Sequence, residues 1–312
     1  MRELSEPGPE TEKAVVRPRP AWLRALGRDD PPAEVEVAGE AWHRVTVYKH
    51  DAFAATALYA RVDDPEHRLI AKFARRQPAF GVPMGWLGMS FHRREQRVLS
   101  RMAGVAGVPR SLGPVGVAGR IFPGAAAREY VPGRPMTIDD RPDDDYFPEL
   151  ERLIATFHDR RVAVVDLNKI DNLLIGDDGR PHLFDFQISL APADLPAGWR
   201  WIDPRSWLLP GAKRADRYHL MKHRVRRRPD QLTADQLDLD RLRPVSVRLW
   251  RKLVRPMHVA RRRLFVALRI RTGRGDPETE VGPEARGQAE THPSLPPAAD
   301  SPEPARTTTQ SP

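Results

Sequence analysis

The hydrophobic pattern of this 312-residue chain changes at Pro132-Gly133. Before that point, short β-branched or aromatic runs such as Ala57–Val62 and Leu69–Phe73 are broken by turn residues, which is typical of β-strands. After it, Phe147–Arg161 carries apolar residues at helical spacing, and most of the sequence to about Arg271 is helical and basic. The order predicts an α+β protein with a small β-rich lobe followed by a larger α-rich lobe.

Further elements follow from the same patterns. In the first lobe we predict a helix over Phe91–Met102 and two strands, Gly113–Phe122 and Ala127–Val131, on either side of Pro123-Gly124. In the second lobe, short strand-like segments follow the first helix at Val162–Val165, Leu173–Ile175 and His182–Phe186. The second lobe is therefore predicted to combine helices with short strands.

Pattern and composition also give the boundaries. The β-rich lobe is placed at residues 34–128, and the α-rich lobe with its basic helical end at residues 129–274. Residues 1–33 lack periodicity apart from Trp22–Leu26 and are predicted to be a mostly disordered arm. Residues 275–312 contain eight prolines and no aromatic residue, so they cannot bury enough apolar area to offset their ordering entropy and are predicted to be a disordered tail.

Composition excludes several classes of protein. The chain has no cysteine, which excludes disulfide bridges, thiolate catalysis and cysteine-ligated zinc. The segment from Met1 to Lys13 is polar and acidic, so no secretory signal is expected. The longest uncharged stretch, Gln77–His92, is too short to span a bilayer. We therefore expect a cytoplasmic protein.

Four polar residues lie where packing would favour apolar ones. Lys72 interrupts a strand, Glu95 lies in the following helix, and Asp185 stands between two phenylalanines. Asp166 ends an apolar run and is followed by Asn172. Because burying an unpaired charge costs several kcal/mol, such groups need a partner, a metal or a ligand.

Their order resembles the protein-kinase-like superfamily, over about residues 42–225. That superfamily has a strand lysine, a helix glutamate that pairs with it, a catalytic Asp with a following Asn, and an Asp-Phe-Gly metal site. The segment Asp166–Ile175, followed by Leu183–Phe186, looks most like the small bacterial branch that includes lipopolysaccharide (Kdo and heptose) kinases and RIO-like kinases. The resemblance implies a two-lobed kinase-like fold and a kinase that uses ATP and Mg²⁺.

The resemblance also implies roles in nucleotide binding. Lys72 would hold the α- and β-phosphates, Glu95 would fix Lys72, and Asp185 with Asn172 would bind Mg²⁺. Only seven of the 51 basic residues are lysine, and the planar fork of an arginine does not occupy the same position as an ammonium group. This difference is a reason for a lysine at position 72 in an arginine-rich chain.

Catalysis and adenine binding fall on other positions in the same resemblance. Asp166 would orient the attacking hydroxyl and accept its proton, and Lys169 would reach the γ-phosphate. Glu129, Tyr130 and Val131 would form the inter-lobe hinge, whose backbone would hydrogen-bond adenine.

The chain departs from the family pattern at several points. The usual His-Arg-Asp reads Val-Val-Asp at Asp166, and Asn172 comes six residues after it instead of five. Either Asp171 is the metal ligand or one residue is inserted, and we favour the insertion. Gln187 replaces the glycine of Asp-Phe-Gly, and no Ala-Pro-Glu follows. The glycine loop is replaced by Lys49–Ala57, whose small alanines would let backbone N–H groups approach a phosphate.

Each residue also has a simpler interpretation. Lys72 would be a strand-edge lysine, Glu95 would pair with neighbouring arginines on a helix surface, and Asp166 and Asn172 would cap turns. The rival function is a pseudokinase, acting as a nucleotide-binding or scaffolding module. A weaker third possibility is a basic nucleic-acid-binding protein, although no binding motif is present and no specific nucleic acid is expected.

Two segments bear on the hydroxyl acceptor, for which a lipid-linked glycan and a protein Ser/Thr both stay open. Residues 78–90 form either an ordinary packing loop or a hydrophobic lip for a lipid-linked acceptor. Pro244–Ile270 interleaves apolar residues with clustered arginines, within a region from Arg217 to Gly275 that has 18 basic and four acidic residues. It predicts either solvated helix faces or an element that binds an anionic membrane surface, at the inner face of the membrane.

Overall fold

A computed structural model of the chain describes residues 20–78, 81–137 and 139–245, with scattered positions between 247 and 267. Within these residues a closed antiparallel barrel has the strand order β1-β2-β3-β4-β6-β5. Its strands are β1 (Glu34–Val37), β2 (Glu40–His50), β3 (Ala54–Arg61), β4 (Arg68–Ala74), β5 (Ser111–Val117) and β6 (Arg120–Glu129). Helices predominate after residue 145, so the predicted α+β organisation, with a strand-rich first part and a helical second part, is confirmed.

The central strands of the barrel are buried on both faces. Alternate residues of β3 and β4, among them Tyr59 and Phe73, point into the barrel, and small alanines between them leave room for the rings. The opposite face of β4 carries Ile70 and Lys72. Lys72 lies opposite Thr56 of β3 and Ala126 of β6, so it is on a central strand and the interpretation as a strand-edge lysine is wrong.

Helix α1 (Gly85–Arg101) lies between β4 and β5 in the chain and packs on β4 and β6. Its close approach is possible because Gly88 has no side chain: a Cβ there would lie 2.5 Å from the backbone oxygen of Arg75. Val98 and Leu99 are buried on the same helix, as is Glu95. The contact at Gly88 therefore helps to set the position from which Glu95 reaches β4.

The Arg75 side chain ties the segment before β1 to the barrel. Its guanidinium donates to the carbonyl oxygens of Trp22 and Pro78 at 2.8 Å, and to those of Ala52 and Gln77 at 2.7 Å. Leu23, Ala25 and Leu26 are buried beside it. The segment Trp22–Leu26, which the sequence set apart from the rest of the arm, is thus part of the barrel's packing.

The second part has its own core. Helices α2 (Tyr146–Asp159) and α3 (Pro204–Arg227) pack together, with a small antiparallel sheet of β7 (Gly133–Pro135), β8 (Leu173–Gly176) and β9 (Pro181–Leu183) beside α2. Short helices α4 (Ala234–Leu237) and α5 (Leu239–Leu242) follow. The core includes Phe147, Phe157 and Phe186, and no described helix is long and apolar enough to cross a membrane.

Several predicted element boundaries are wrong. Strand β1 was not predicted, and α1 begins at Gly85 instead of Phe91. Pro123-Gly124 lies inside β6 at a register shift against β5, because a bulge accommodates a residue that cannot donate to the ladder. Val162–Val165 is no strand: Ala163 makes an isolated bridge to Leu190. The arm before residue 20 and the tail at 275–312 lie outside the described residues.

We expect Gly88→Ala to lower the free energy of unfolding by about 1–3 kcal/mol, because the new Cβ would overlap the Arg75 backbone. The matched control is Gly85→Ala on the same helix, where the nearest outside atom would be 3.9 Å away. Urea unfolding monitored by circular dichroism measures both changes. Equal stability of the two variants would contradict the close approach.

Candidate functional site

The ammonium group of Lys72 lies between two carboxylates from different parts of the molecule. Its Nζ is 3.1 Å from Oε2 of Glu95 on α1 and 2.9 Å from Oδ1 of Asp185, in the segment that follows β9. The structure thus brings together three residues that are 23 and 113 positions apart in the chain. The barrel, α1 and the helical part all contribute to this cluster.

Burial and charge act differently on the two carboxylates. Glu95 is 4% exposed, and burial, opposed by Lys72, raises its pKa above the usual range. Burial also disfavours ionisation of Asp185, but the Lys72 and Lys49 ammonium groups outweigh it and hold its pKa well below the usual range. The pKa values of the two carboxylates that share Lys72 therefore shift in opposite directions.

Lys49 and Asp51 join the cluster, and sequence reasoning did not predict this for either side chain. The Lys49 Nζ lies 3.0 Å from Asp51 Oδ2 and 3.9 Å from Asp185 Oδ2. Asp51 Oδ1 also accepts from the backbone N–H groups of Phe53 and Ala54, at 2.8 and 3.0 Å. The expectation that this turn offers its N–H groups to a phosphate is thus wrong for these two groups, because an aspartate within the turn already binds them.

Asp166 lies at the start of a short loop that ends in a 3₁₀ turn, Ile170–Asn172. Lys169 contacts it, with Nζ 2.5 Å from Asp166 Oδ2. Asn172 is buried and its Nδ2 donates to the backbone oxygen of Asp166 at 3.3 Å, whereas Asp171 is half-buried. Strand β8 starts directly after Asn172. This geometry favours Asn172 over Asp171 as the residue that works with Asp166.

Asp216 on α3 holds the residues that precede Asp166, and sequence reasoning missed it. It is fully buried, and its carboxylate accepts from the backbone N–H groups of Val164 and Val165, each at 2.8 Å, with His158 Nε2 at 3.1 Å. Val165 has φ of 67°, a left-handed conformation that is unfavourable for a β-branched residue. The carboxylate therefore fixes a strained backbone that sets the direction of Asp166.

His223 supports the same loop from the next turns of α3. Its Nε2 lies 2.7 Å from the backbone oxygen of Leu167, and its Nδ1 faces the Arg227 guanidinium. Burial, followed by the charges of Arg227 and Lys222, lowers the pKa of His223 to about 4 even though the bond to Leu167 opposes the shift. A neutral imidazole that donates to Leu167 fits both contacts.

The predicted hinge follows β6. Glu129 is the last residue of that strand, and Tyr130 and Val131 lead to β7. Beside them, Leu58 and Ile70 are 0% and 1% exposed and pack with Tyr48 and Tyr130. The apolar surface next to the hinge is thus covered by side chains of the protein itself.

Asp185 and Asn172 supply the carboxylate and amide oxygens that Mg²⁺ prefers. Asn172 uses its amide nitrogen toward Asp166, which directs the amide oxygen elsewhere. Among the described residues, no group of three or more His, Asp or Glu side chains is placed to hold a metal ion. Asp185 and Asn172 are thus the two residues of the sequence prediction that could supply oxygen ligands to such a cation.

The segments proposed for the acceptor are only partly described. In residues 78–90, Trp86 and Met89 lie on the first turns of α1, so the expected irregular loop is helical from Gly85, and Phe80 is outside the described residues. Most of Pro244–Ile270 is also outside them. Val247 is buried there and Leu264 is exposed.

Comparisons with known proteins give weak similarity to two solved structures, at low sequence identity. No protein-family model matches the sequence, and no curated protein sequence matches it. A chain of the CAK complex of Chaetomium thermophilum, solved bound to ATP-gamma-S, is 21% identical with a TM-score of 0.38, over 49% of this chain and 48% of that one. The Rio2 kinase of the same organism is 14% identical with a TM-score of 0.40, over 69% and 63%. The chain thus spans about half and somewhat under two thirds of these two chains.

We expect Asp216→Asn to lower the free energy of unfolding by about 2–4 kcal/mol, because an amide cannot accept both backbone N–H groups and His158 as the carboxylate does. Asp235→Asn is the control, since that side chain is 91% exposed. Urea unfolding measures both, and a loss no larger than the control's would contradict the role given to Asp216.

The lowered pKa of His223 makes stability depend on pH. Since the folded value of about 4 is below the usual 6.5, the unfolded chain takes up a proton first, and stability is lost as pH falls from 7 through 6.5 toward 4. His223→Gln should reduce the slope of unfolding free energy between pH 6 and 5 by up to about 1.4 kcal/mol per pH unit. An unchanged slope in His223→Gln would contradict the shift.

Proposed function

We propose that this chain is an ATP- and Mg²⁺-dependent phosphotransferase that phosphorylates a hydroxyl group. The observation that carries the proposal is the shared ammonium group of Lys72, held by buried Glu95 on one side and by Asp185 on the other. Of the lysines that the structure describes, Lys49 and Lys169 also act electrostatically on Asp185. A cleft with several ammonium groups around one carboxylate suits a polyphosphate together with a cation.

The nucleotide would be held by residues from both parts of the molecule. Asp185 can pair with either the Lys72 ammonium or a metal cation, so loading the metal would free Lys72 for the α- and β-phosphates while Glu95 still positions it. Asp185 and Asn172 would hold Mg²⁺, which when bound supplies positive charge against the phosphates. The backbone of Glu129, Tyr130 and Val131 would hydrogen-bond the adenine.

Transfer would then use the loop at Asp166. The acceptor oxygen attacks the γ-phosphorus, the bond from that phosphorus to the bridging oxygen of ADP breaks, and the hydroxyl proton passes to the Asp166 carboxylate. Lys169, whose Nζ contacts Asp166 Oδ2, would turn to the γ-phosphate. Asp216 would act as a positioning residue, because it fixes the backbone before Asp166.

The acceptor would be a sugar hydroxyl of a lipid-linked glycan, such as lipopolysaccharide, or a protein Ser/Thr. The resemblance to the bacterial lipopolysaccharide kinases and RIO-like kinases supports both, and a cytoplasmic enzyme working at the inner face of the membrane would meet either. The basic segment Pro244–Ile270 adds support for an anionic surface nearby.

A pseudokinase that acts as a nucleotide-binding or scaffolding module is the second candidate, favoured by specific contacts. Leu58 and Ile70 beside the hinge are covered by Tyr48 and Tyr130, so an adenine ring could enter only if a tyrosine moved. The Asp51 carboxylate also accepts from the backbone N–H groups of Phe53 and Ala54 in its own turn. Both features reduce the contacts that the chain offers to a nucleotide.

We expect ATP with Mg²⁺ to raise the melting temperature of the full chain, with a stabilisation of about 2.7 kcal/mol at a hundredfold excess over Kd. Asp185→Asn should remove the magnesium-dependent part of that rise, whereas Asp63→Asn, at an exposed position, should keep it. Thermal unfolding with ATP alone, Mg²⁺ alone and both together measures the effect.

Turnover of ATP by the native chain should fall at least a thousandfold in Asp166→Ala and Lys72→Met. Lys72→Arg keeps a positive charge beside Glu95 and Asp185. Loss of turnover in this variant would show that the reaction needs a lysine at this position, and not only a cation that keeps the cluster folded. A rise in melting temperature with ATP that does not depend on Mg²⁺ would support the scaffolding module. Absence of any nucleotide effect in the folded native chain would contradict both candidates.

A further inference from the structure

Large apolar side chains are exposed on the segment that leads into α3 and on the first turns of this helix. Trp199, Trp201 and Trp207 are 62%, 65% and 68% exposed, and Ile202 and Leu208, each next to a tryptophan in the chain, are also exposed. Surfaces of folded chains rarely carry contiguous large apolar groups unless they bind something. None of these residues belongs to the cluster around Lys72, so the proposed phosphotransfer gives them no role.

Arginines accompany the tryptophans. Along α3 the exposed positions Trp207, Pro210, Arg214 and Arg217 follow one another at intervals of three and four residues, so they lie on one face of the helix. Arg200 is exposed between the first two tryptophans. We call this set, residues 199–202 with the exposed face of α3 from Trp207 to Arg217, the aromatic–arginine surface.

The acidic residues of this region are turned inward. Of the described residues 197–217, Asp203 and Asp216 are the acidic ones, and both are buried. Asp203 accepts from Ala193 N at 2.7 Å and pairs with Arg205, while Asp216 holds the backbone before Asp166. The outward-facing charge of residues 197–217 is therefore positive.

The basic character continues onto α1. Burial lowers the pKa of Arg94, and the charges of Arg205 and Arg97 lower it further. Trp86, Arg93 and Arg97 are exposed at helical spacing on α1. One tryptophan followed by arginines thus recurs on α1.

We propose that the aromatic–arginine surface docks the protein on the surface of an anionic lipid bilayer. Indole rings partition into the headgroup region of a bilayer, because they combine an apolar face with an N–H donor. Arginines close to anionic phosphates add attraction that a neutral surface lacks. Exposed indole rings and outward-facing positive charge on the same segment therefore match the two features of an anionic bilayer surface.

The docked surface adjoins the loop that carries Asp166. Arg161 Nη2 donates to Ser206 Oγ at 3.2 Å, and Asp216, between the arginines of the surface, bonds Val164 and Val165. Docking on a bilayer does not depend on the proposed phosphotransfer. If the protein both docks on a bilayer and transfers phosphate, the acceptor hydroxyl belongs to a bilayer component, which favours the lipid-linked glycan over a protein Ser/Thr.

Flotation of the full chain with vesicles tests the proposal. We expect binding to phosphatidylcholine vesicles that contain 30% phosphatidylglycerol, and at least tenfold weaker binding to phosphatidylcholine alone. Arg214→Gln with Arg217→Gln should weaken binding to the anionic vesicles about tenfold or more. Trp199→Ser with Trp207→Ser should do the same.

Matched controls keep the test specific. Arg120→Gln with Arg180→Gln removes two exposed charges elsewhere, and Val62→Ser with Ile121→Ser removes two exposed apolar groups from the barrel. Equal losses in controls and test variants, or equal binding to neutral vesicles, would overturn the proposal. So would sedimentation of the native chain as a dimer that the tryptophan variants dissociate. Lys72→Met, which should lack phosphotransfer, should still bind the anionic vesicles like the native chain. A failure of the proposed phosphotransfer can therefore be distinguished from a failure of docking.

Discussion

The rest of the site depends on one buried ammonium group that is shared by two carboxylates. Lys72 is on a central strand, Glu95 is on the helix packed across that strand, and Asp185 belongs to the helical part of the chain. In a low-dielectric environment each partner would be costly alone, so the positions of the three elements are mutually dependent. The barrel and the helical part are thereby connected at the place where the proposed chemistry would occur.

A second buried charge organises the loop that carries Asp166. Asp216 binds two backbone N–H groups, and through them it holds Val165 in a left-handed conformation. His223 adds a bond to Leu167 two residues further on. Helix α3 therefore acts as a rigid support for the Asp166 loop, while the Lys72 cluster sets the position of the barrel.

Sequence alone predicted the parts of the site in which a polar residue interrupts an apolar run. Lys72 and Asp185 were predicted for that reason, and the structure brings them together. Asp216 could not be found this way, because it lies among the charged residues of an amphipathic helix and its burial depends on tertiary packing. The tryptophans at 199–207 gave no signal either, since tryptophan usually indicates a core and exposure is visible only in the fold. The predicted boundaries of strands were wrong where a bulge or a single bridge replaces regular pairing.

The hydrogen bonds of Arg75 have a consequence for the order in which the chain assembles. Trp22 lies 53 positions before Arg75 in the chain, and the Arg75 guanidinium donates to its carbonyl oxygen. At a synthesis rate of roughly 5–20 residues per second, Arg75 is added to the chain about 3–10 s after Trp22. Leu23 and Leu26 stay exposed during that interval, which is when a nascent chain of this kind is most open to chaperones and proteases.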